Sequence, residues 1–399
     1  MRRYISAVAG MALVVLVGFL ASCTQSPIGL FESIELEQKI IDDRDLDNEL
    51  LVGGMTESGG YYFIAAATLW TRDVDEMDAE GLLTQWASIT PPGASNFTTS
   101  SLVTFDGSGT ELIYAAYSSQ DGTEGGVYTV DPAADAVQVA TDPVFGTDVD
   151  GVAGVGKVFV ANDGTDTYLL VAVKKSDVTS RYSVYASTTG DAGTFAEVAG
   201  TERNLPVIDV AENAAGAIGF LTEKAVLIDS DGLDFAPDPT TITDVAATLG
   251  IVDRQPVFGG IYLHPATGTL WVTDNEGYLY QGANFGATWS ANTAAHLVST
   301  SDESPLQFAD LVAVDNGGTD LLVVGTEGHG YRELDALDFS PTTPAAEVSN
   351  YQASELAQAT ILTFYVDEGA TGDFLFAGTS NLGLWKVLYG GDPPQWIRE

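Results

Sequence analysis

The side chains of this 399-residue chain that could do chemistry are three histidines, one cysteine and a large surplus of carboxylates. His264, His296 and His329 are scattered and lack the close spacing that brings two imidazoles to one metal ion; His264, ahead of Pro265, reads as a turn residue. Cys23 is the only thiol, which excludes a disulfide framework, a thiolate metal centre and a catalytic cysteine in the body. The runs Asp229-Ser230-Asp231-Gly232-Leu233-Asp234 and Asp148-Val149-Asp150-Gly151 crowd carboxylates as hard-cation sites do. Neither carries the distal bidentate glutamate of a full calcium loop, and Asp-Gly is equally the chemistry of a hairpin turn, so both read as turns. There is no helix-borne histidine pair, no Gly-x-Ser-x-Gly elbow and no phosphate-binding glycine loop. The sequence therefore specifies no catalytic residue, no metal and no cofactor.

Charge narrows the partners. Against 15 basic residues stand 56 acidic ones, a formal net charge of −41. A body this acidic repels nucleic acid and anionic headgroups alike. A hydrophobic content of 45% with 10% aromatics is too high for disorder, so the chain is a folded, very acidic protein. The acidic run Asp73–Glu80 reads as a solvated loop. Only six lysines occur, and this scarcity beside so many acids resembles proteins of salt-adapted bacteria.

The N-terminus has an address. Arg2 and Arg3 precede an uncharged apolar run, Ile5 to Leu20, which closes on Leu20-Ala21-Ser22-Cys23. That is a secretory signal rather than part of a fold. The closing residues resemble the bacterial lipobox, which implies cleavage after residue 22 and diacylation of Cys23; an uncleaved anchor with an incidental cysteine is the alternative. No other run approaches the roughly 20 apolar residues that span a bilayer. Residues 1–22 are thus the expected lipoprotein signal peptide and 23–32 a tether. Thr24, after the cysteine, points to the outer membrane or cell surface rather than the inner membrane. The expected state is an exported monomer held to the lipid bilayer by acylated Cys23. Loss of Arg2 and Arg3 takes its net charge from −41 to −43.

The rest of the chain is built from copies of one unit. In residues 268–289 a strand around Leu270–Thr273 meets the turn Asp274-Asn275-Glu276-Gly277, a second strand follows at Tyr278–Gln281, and a glycine-rich turn ends on Trp289. Equivalent apolar strands centre on Phe63, Ile113, Leu170, Ile218, Leu270, Leu322 and Leu375, at spacings of 50, 57, 48, 52, 52 and 53 residues. Further short runs precede and follow these anchors, with Leu69-Trp70 and the 82–89 stretch competing for the later strands of the first unit. A radial repeat of four short antiparallel strands is the pattern of a seven-bladed, all-β propeller over residues 33–399; two packed β-domains are the alternative. The last unit ends near Tyr389 with no obvious fourth strand. The alternating run at 34–40, a strand by its period although a helix also fits it, is expected to close the last blade.

The turn Asn284-Phe285-Gly286-Ala287-Thr288-Trp289 resembles the Asp-box of sialidase-type (BNR-repeat) propellers, with Asn in place of Asp, and Asp191-Ala192-Gly193-Thr194-Phe195 is a shorter version. Ser230–Phe235 and Asp335–Phe339 are more degraded copies. The resemblance implies a folding device between third and fourth strands. It does not extend to sialidase activity: none of Arg44, Arg72, Arg181, Arg203, Arg254, Arg332 and Arg398 lies in the Arg-Ile-Pro context of that family's substrate clamp.

A ring would gather the loops between second and third strands at one end of its channel. They carry Asp121, Glu124, Lys174, Lys175, Glu223, Lys224, Asp274, Glu276, Glu327, His329 and Asn381, the candidate binding rim for a protein or carbohydrate ligand. The functional expectation is a membrane-anchored binding module without catalysis. A carbohydrate-active propeller with a facing acid pair and a structural envelope or assembly factor are the alternatives. The acidic surface makes one prediction immediate: the thermal midpoint should rise with added salt, as counterions screen self-repulsion, and a midpoint that fell or stayed level would remove the salt-adapted reading.

Overall fold

Runs such as Tyr-Tyr-Phe-Ile-Ala-Ala and Asp-Leu-Leu-Val-Val-Gly carry apolar side chains on both faces of a strand, which a sheet with one wet face cannot accommodate. The computed structural model describes residue 46 and residues 51–399 except 75–85, 93–96, 120–123, 135–136, 177–180, 231, 234, 236–240, 244–255, 265–266, 292–304, 317, 319, 336–355, 370–371 and 390–395. Cys23, the tether and the 34–40 run lie outside the described residues.

Each doubly apolar run is the second strand of an antiparallel sheet: Tyr61–Ala66, Leu112–Ser119, Thr167–Lys175, Ile218–Thr222, Thr269–Asp274, Asp320–Thr326 and Gly372–Thr379. The seven anchor residues are all wholly buried, at 0% exposure. Six sheets are four-stranded meanders; the sixth in chain order has three strands among the described residues, Phe308–Asp315, Asp320–Thr326 and Tyr331–Asp335. In the first, both competing segments are used, Thr68–Asp73 as third strand and Ala87–Ile89 as fourth.

The first strand of every sheet lies innermost, and residues from all seven line one narrow channel of about 160 Å³. The protein is a seven-bladed β-propeller. Its core is distributed between the blades. Ile228 of blade four, for instance, packs with Phe258, Leu270 and Tyr280 of blade five, so each second strand is covered on both faces by neighbours. Among the described residues no helix is long and apolar enough to cross a membrane.

The last unit departs from the expectation that it lacks a fourth strand. Blade seven does have a fourth strand of its own, Ile397–Arg398, which pairs with Trp385 and Lys386. Two residues are too few to register as a strand by periodicity, and the Pro393-Pro394 pair before them reads as a tail. Tertiary contacts hold the segment instead. Trp396 is buried and its indole N–H donates to the Tyr331 hydroxyl at 3.0 Å, while the Arg398 guanidinium lies over the Trp385 ring.

Blades one and seven then meet as two complete sheets. The Val52 amide donates to the Thr379 carbonyl at 3.0 Å, and the Tyr62 hydroxyl donates to the Asp367 carboxylate. Arg72 forms a buried ion pair with the Glu399 side chain, which also takes Lys386 at 3.2 Å. Arg72 itself is stacked on Trp86. Burial alone would raise the Glu399 carboxyl, but the two cations more than offset it and leave it below its ordinary 4.5.

Leaving a buried charge bare costs about 3–5 kcal/mol; loss of Arg72 leaves Glu399 only Lys386, so the cost is part of that. Arg72→Ala should therefore lower the urea midpoint far more than truncation of the exposed Lys174 does. Because the Glu399 carboxyl is depressed in the native state, its stabilisation is complete above the ordinary carboxylate range and is lost as pH falls through the native value. The Arg72 variant should accordingly lose part of the wild-type acid sensitivity below about pH 4.5; an unchanged acid limb would rule out this closure.

Candidate functional site

Each blade presents its first strand to the channel as an edge, and an edge strand carries main-chain groups its own sheet does not pair. In six blades the register between first and second strands slips once or more, as between Val207 and Asp209 or between Phe308 and Asp310. Such a bulge frees an amide from the ladder and re-aims a side chain. The re-aimed residues at the channel include Ser101, Lys157, Asp209 and Asp310, from blades two, three, four and six.

These side chains tie one blade to the next. Asp209 accepts the Val210 amide at 2.9 Å with one oxygen and the Ile261 amide of blade five at 3.0 Å with the other. Asp310 repeats the arrangement, accepting Leu311 at 2.8 Å and Phe364 of blade seven at 2.7 Å. The Ser101 hydroxyl is 3.2 Å from both the amide and the carbonyl of Val158 in blade three. Lys157 donates to the Ile208 carbonyl of blade four at 3.0 Å. Gly54 and Gly260 stand where a Cβ would sit 3.6 Å from the Leu102 amide and 3.5 Å from the Leu311 amide, so those two blades offer no side chain at this level.

Depth inside the ring raises both carboxyl groups above their ordinary 3.8, and Asp209 raises Asp310 further, to about 7. Lys157 and the main-chain amides act in the opposite sense. Chemically the channel holds two carboxyls and an ammonium. All four carboxyl oxygens accept main-chain amides, which suits latches between blades better than acid–base work on a bound molecule. None of these three was singled out from the sequence. Their signal was present: Ile208-Asp209-Val210 and Ala309-Asp310-Leu311 each place a lone carboxylate between apolar residues at the same point of the first strand.

The predicted rim residues fall where second strands give way to third strands, with Asp121 outside the described residues. Glu124, Glu223, Lys224, Glu276, Glu327, His329 and Asn381 occupy the connecting loops. The position of three others differs from expectation. Asp274 ends its strand fully buried, its carboxylate accepting the Glu276 and Tyr278 amides and the Tyr280 hydroxyl, so it builds the turn and offers nothing to a ligand. Lys174 and Lys175 belong to the second strand of blade three rather than to the loop. Lys175 bonds Glu197 at 2.8 Å and lies over Tyr185, while Lys174 is exposed. Lys224 reaches the Pro256 carbonyl at 3.3 Å, and His329 gives its carbonyl to Arg332.

Described arginines are dispersed. Arg72 is in the ring closure, Arg181 pairs with Glu202, Arg332 bonds main-chain carbonyls and Arg398 stacks on Trp385. His264, read from the sequence as a turn residue, instead ends the first strand of blade five, paired with Thr269 and buried; its Nδ1 accepts the Thr267 amide at 3.3 Å and its ring meets Trp271 edge-on.

The Asn284–Trp289 segment leads from the third strand of blade five, Leu279–Gly282, into the fourth, Thr288–Ala291, which carries Trp289. Asn284, Phe285 and Gly286 are left-handed in succession, at φ of 50°, 52° and 81°. Phe285 is buried and Trp289 packs against the core shared by blades four and five. The Asp191 turn is likewise between third and fourth strands. There the Thr194 hydroxyl donates to the Asp191 carbonyl, and Phe195 stacks on Phe145 at 4.8 Å.

No family model matches the chain, and no curated protein matches it in sequence. Solved structures do resemble it. The WD40 β-propeller domain of Doa1 aligns with a TM-score of 0.52 at 11% identity, covering 89% of this chain and 95% of that one. Raptor from Chaetomium thermophilum aligns at 0.53 and 11% identity over 89% of this chain, which spans 30% of that longer protein. At this identity the likeness shows the fold alone.

The channel carboxyls give a pH prediction of opposite sign to Glu399. A carboxyl raised in the native state binds its proton more tightly there than in the unfolded chain. That contribution is complete below the ordinary 3.8 and is lost as pH rises toward about 7. In urea titrations between pH 4 and pH 8, Asp310→Asn should flatten the decline in stability seen in the wild type; a variant with the wild-type slope would show that Asp310 does not titrate in this range.

Proposed function

We propose that this chain is an exported lipoprotein whose propeller presents the second-to-third-strand face of its ring as a binding surface for a protein or carbohydrate ligand. The observation that carries this reading is a division of labour within the ring. The channel groups Ser101, Lys157, Asp209 and Asp310 are engaged in hydrogen bonds that hold blades together. On the loops at the face, Glu223 and Glu327 are tied in through the main chain, the Glu223 carbonyl accepting the Phe258 amide and the Glu327 amide donating to the Gln307 carbonyl. Side chains that are not needed for folding are the ones a surface can use for recognition. The signal-like N-terminus and the lipobox resemblance supply the address, and Thr24 favours the outer membrane or cell surface. The Asn284–Trp289 and Asp191–Phe195 turns belong to the Asp-box type in this reading, consistent with their place at the passage from third to fourth strand.

The binding mode suits a strongly acidic face, which attracts cationic or hydroxyl-rich partners and repels anionic polymers. Cys23→Ala should abolish incorporation of a radiolabelled fatty acid and release the protein from the membrane fraction. Alanine at Glu124, Glu223, Glu276 and Glu327 should leave the thermal midpoint within about 1 °C of wild type, since surface changes cost little stability, yet weaken capture of a cationic peptide or an oligosaccharide on an array. Retained label in the Cys23 variant would remove the anchor. Unchanged array binding in the loop variants would remove the face.

A further inference from the structure

Blade three departs from the other blades in a way that opens a cleft. Its first strand, Val152–Asn162, slips register against the second strand twice, opposite Ala172 and again between Lys174 and Lys175. Gly156 falls in the first slip, where even a Cβ would stand 3.3 Å from the Ala172 carbonyl. Gly154 and Gly156 carry no side chains, and beside them a cavity of about 420 Å³ extends to Val207 and Ile208 of blade four. That is within the size range of small-molecule pockets, roughly 300–1,000 Å³. Its walls are apolar, including Val155 and Val173, and two cations border it, Lys157 and Lys174.

The cations are the informative part. In a chain of net charge −41 with six lysines, two line this one cleft. Their neighbours are already engaged: Lys175 with Glu197, and Arg181 with Glu202. Lys174, by contrast, is exposed, and among the described residues its ammonium makes no hydrogen bond or ion pair. Lys157 spends one donor on the Ile208 carbonyl. An ammonium beside an apolar wall complements a molecule that has both a hydrophobic body and an anionic head. The body matters because the protein's overall field opposes any anion at long range, so burial of apolar surface must supply much of the attraction.

From this juxtaposition we infer that the cleft between blades three and four binds a small amphipathic carboxylate, its chain against Val155, Val173 and Val207 and its head on Lys174. The inference deepens the binding-module reading and rests on it, since Lys174 borders the same face.

Calorimetric titration with octanoate tests it, on the full chain carrying Cys23→Ser so that no attached acyl group competes. Octanoate should bind saturably, octanol more weakly and octylammonium not at all. Lys174→Gln should weaken octanoate about tenfold, the order expected for one charge-assisted contact, while leaving octanol unchanged, and Lys174→Arg should retain most of the affinity. Added salt should weaken octanoate selectively. Absence of saturable octanoate binding, equal affinity for octanoate and octanol, or wild-type affinity in Lys174→Gln would each overturn the inference. Those failures are distinct from failure of the face as a whole, because Glu276 and Glu327 lie on other blades. If their variants lose an array ligand while octanoate does not bind, the cleft alone is refuted.

Discussion

An edge strand with nothing beside it exposes amides that must find an acceptor, and this molecule brings seven such edges together at one axis. The burial of the inner strands is possible because side chains from one blade reach main-chain groups of another. Asp209 and Asp310 each bridge an amide of their own blade and one of the next. Ser101 reaches the Val158 amide and carbonyl of blade three with its hydroxyl, and Lys157 the Ile208 carbonyl of blade four with its ammonium. An unsatisfied buried amide costs about 1–3 kcal/mol, so these contacts decide whether the ring can hold its inner edges close. The carboxyls accept a shifted titration as the consequence of that position, and the bulges that aim them are the local means by which it is reached.

The same constraint governs the circumference. A second strand apolar on both faces is stable only with a blade on either side, so the first and last blades must meet. They do so as two complete sheets, through the Arg72–Glu399 pair, the Tyr62–Asp367 hydrogen bond and shared core residues such as Ile64, Phe376 and Leu384. Charge used in this way is local and compensated. The remaining acid excess is a property of the surface, where it shapes which partners can approach. Against that background the lysines at the cleft beside blade three stand out as a reversal of sign over apolar walls.

Much of the fold was legible because a propeller repeats its burial. Phe63, Ile113, Leu170, Ile218, Leu270, Leu322 and Leu375 recur at nearly even spacing and all prove wholly buried. The candidate site was less legible. The loops at Glu223, Glu276 and Glu327 could be placed by counting strands, but Asp274 looked like its neighbours and is instead consumed by the Tyr280 hydroxyl and two turn amides. Lys174 and Lys175 are adjacent in sequence, and alternation along a strand sends one to solvent and the other to Glu197.

Composition and repeat spacing are properties written along one dimension, and they are legible residue by residue: an acidic, β-rich chain of seven similar units. What joins residues far apart was decided only in the tertiary structure. The fourth strand of the last blade is two residues long and is held by Trp396 on Tyr331 of blade six, Arg398 on Trp385 of its own blade and Glu399 on Arg72 of blade one, so no local period announces it. The meeting of Asp209 with blade five and of Asp310 with blade seven likewise depends on the ring being closed. Local patterning encodes which face of a strand is apolar; which group satisfies an inner amide, and which lysine is left facing an apolar cleft, follow from geometry that exists only after the blades have assembled.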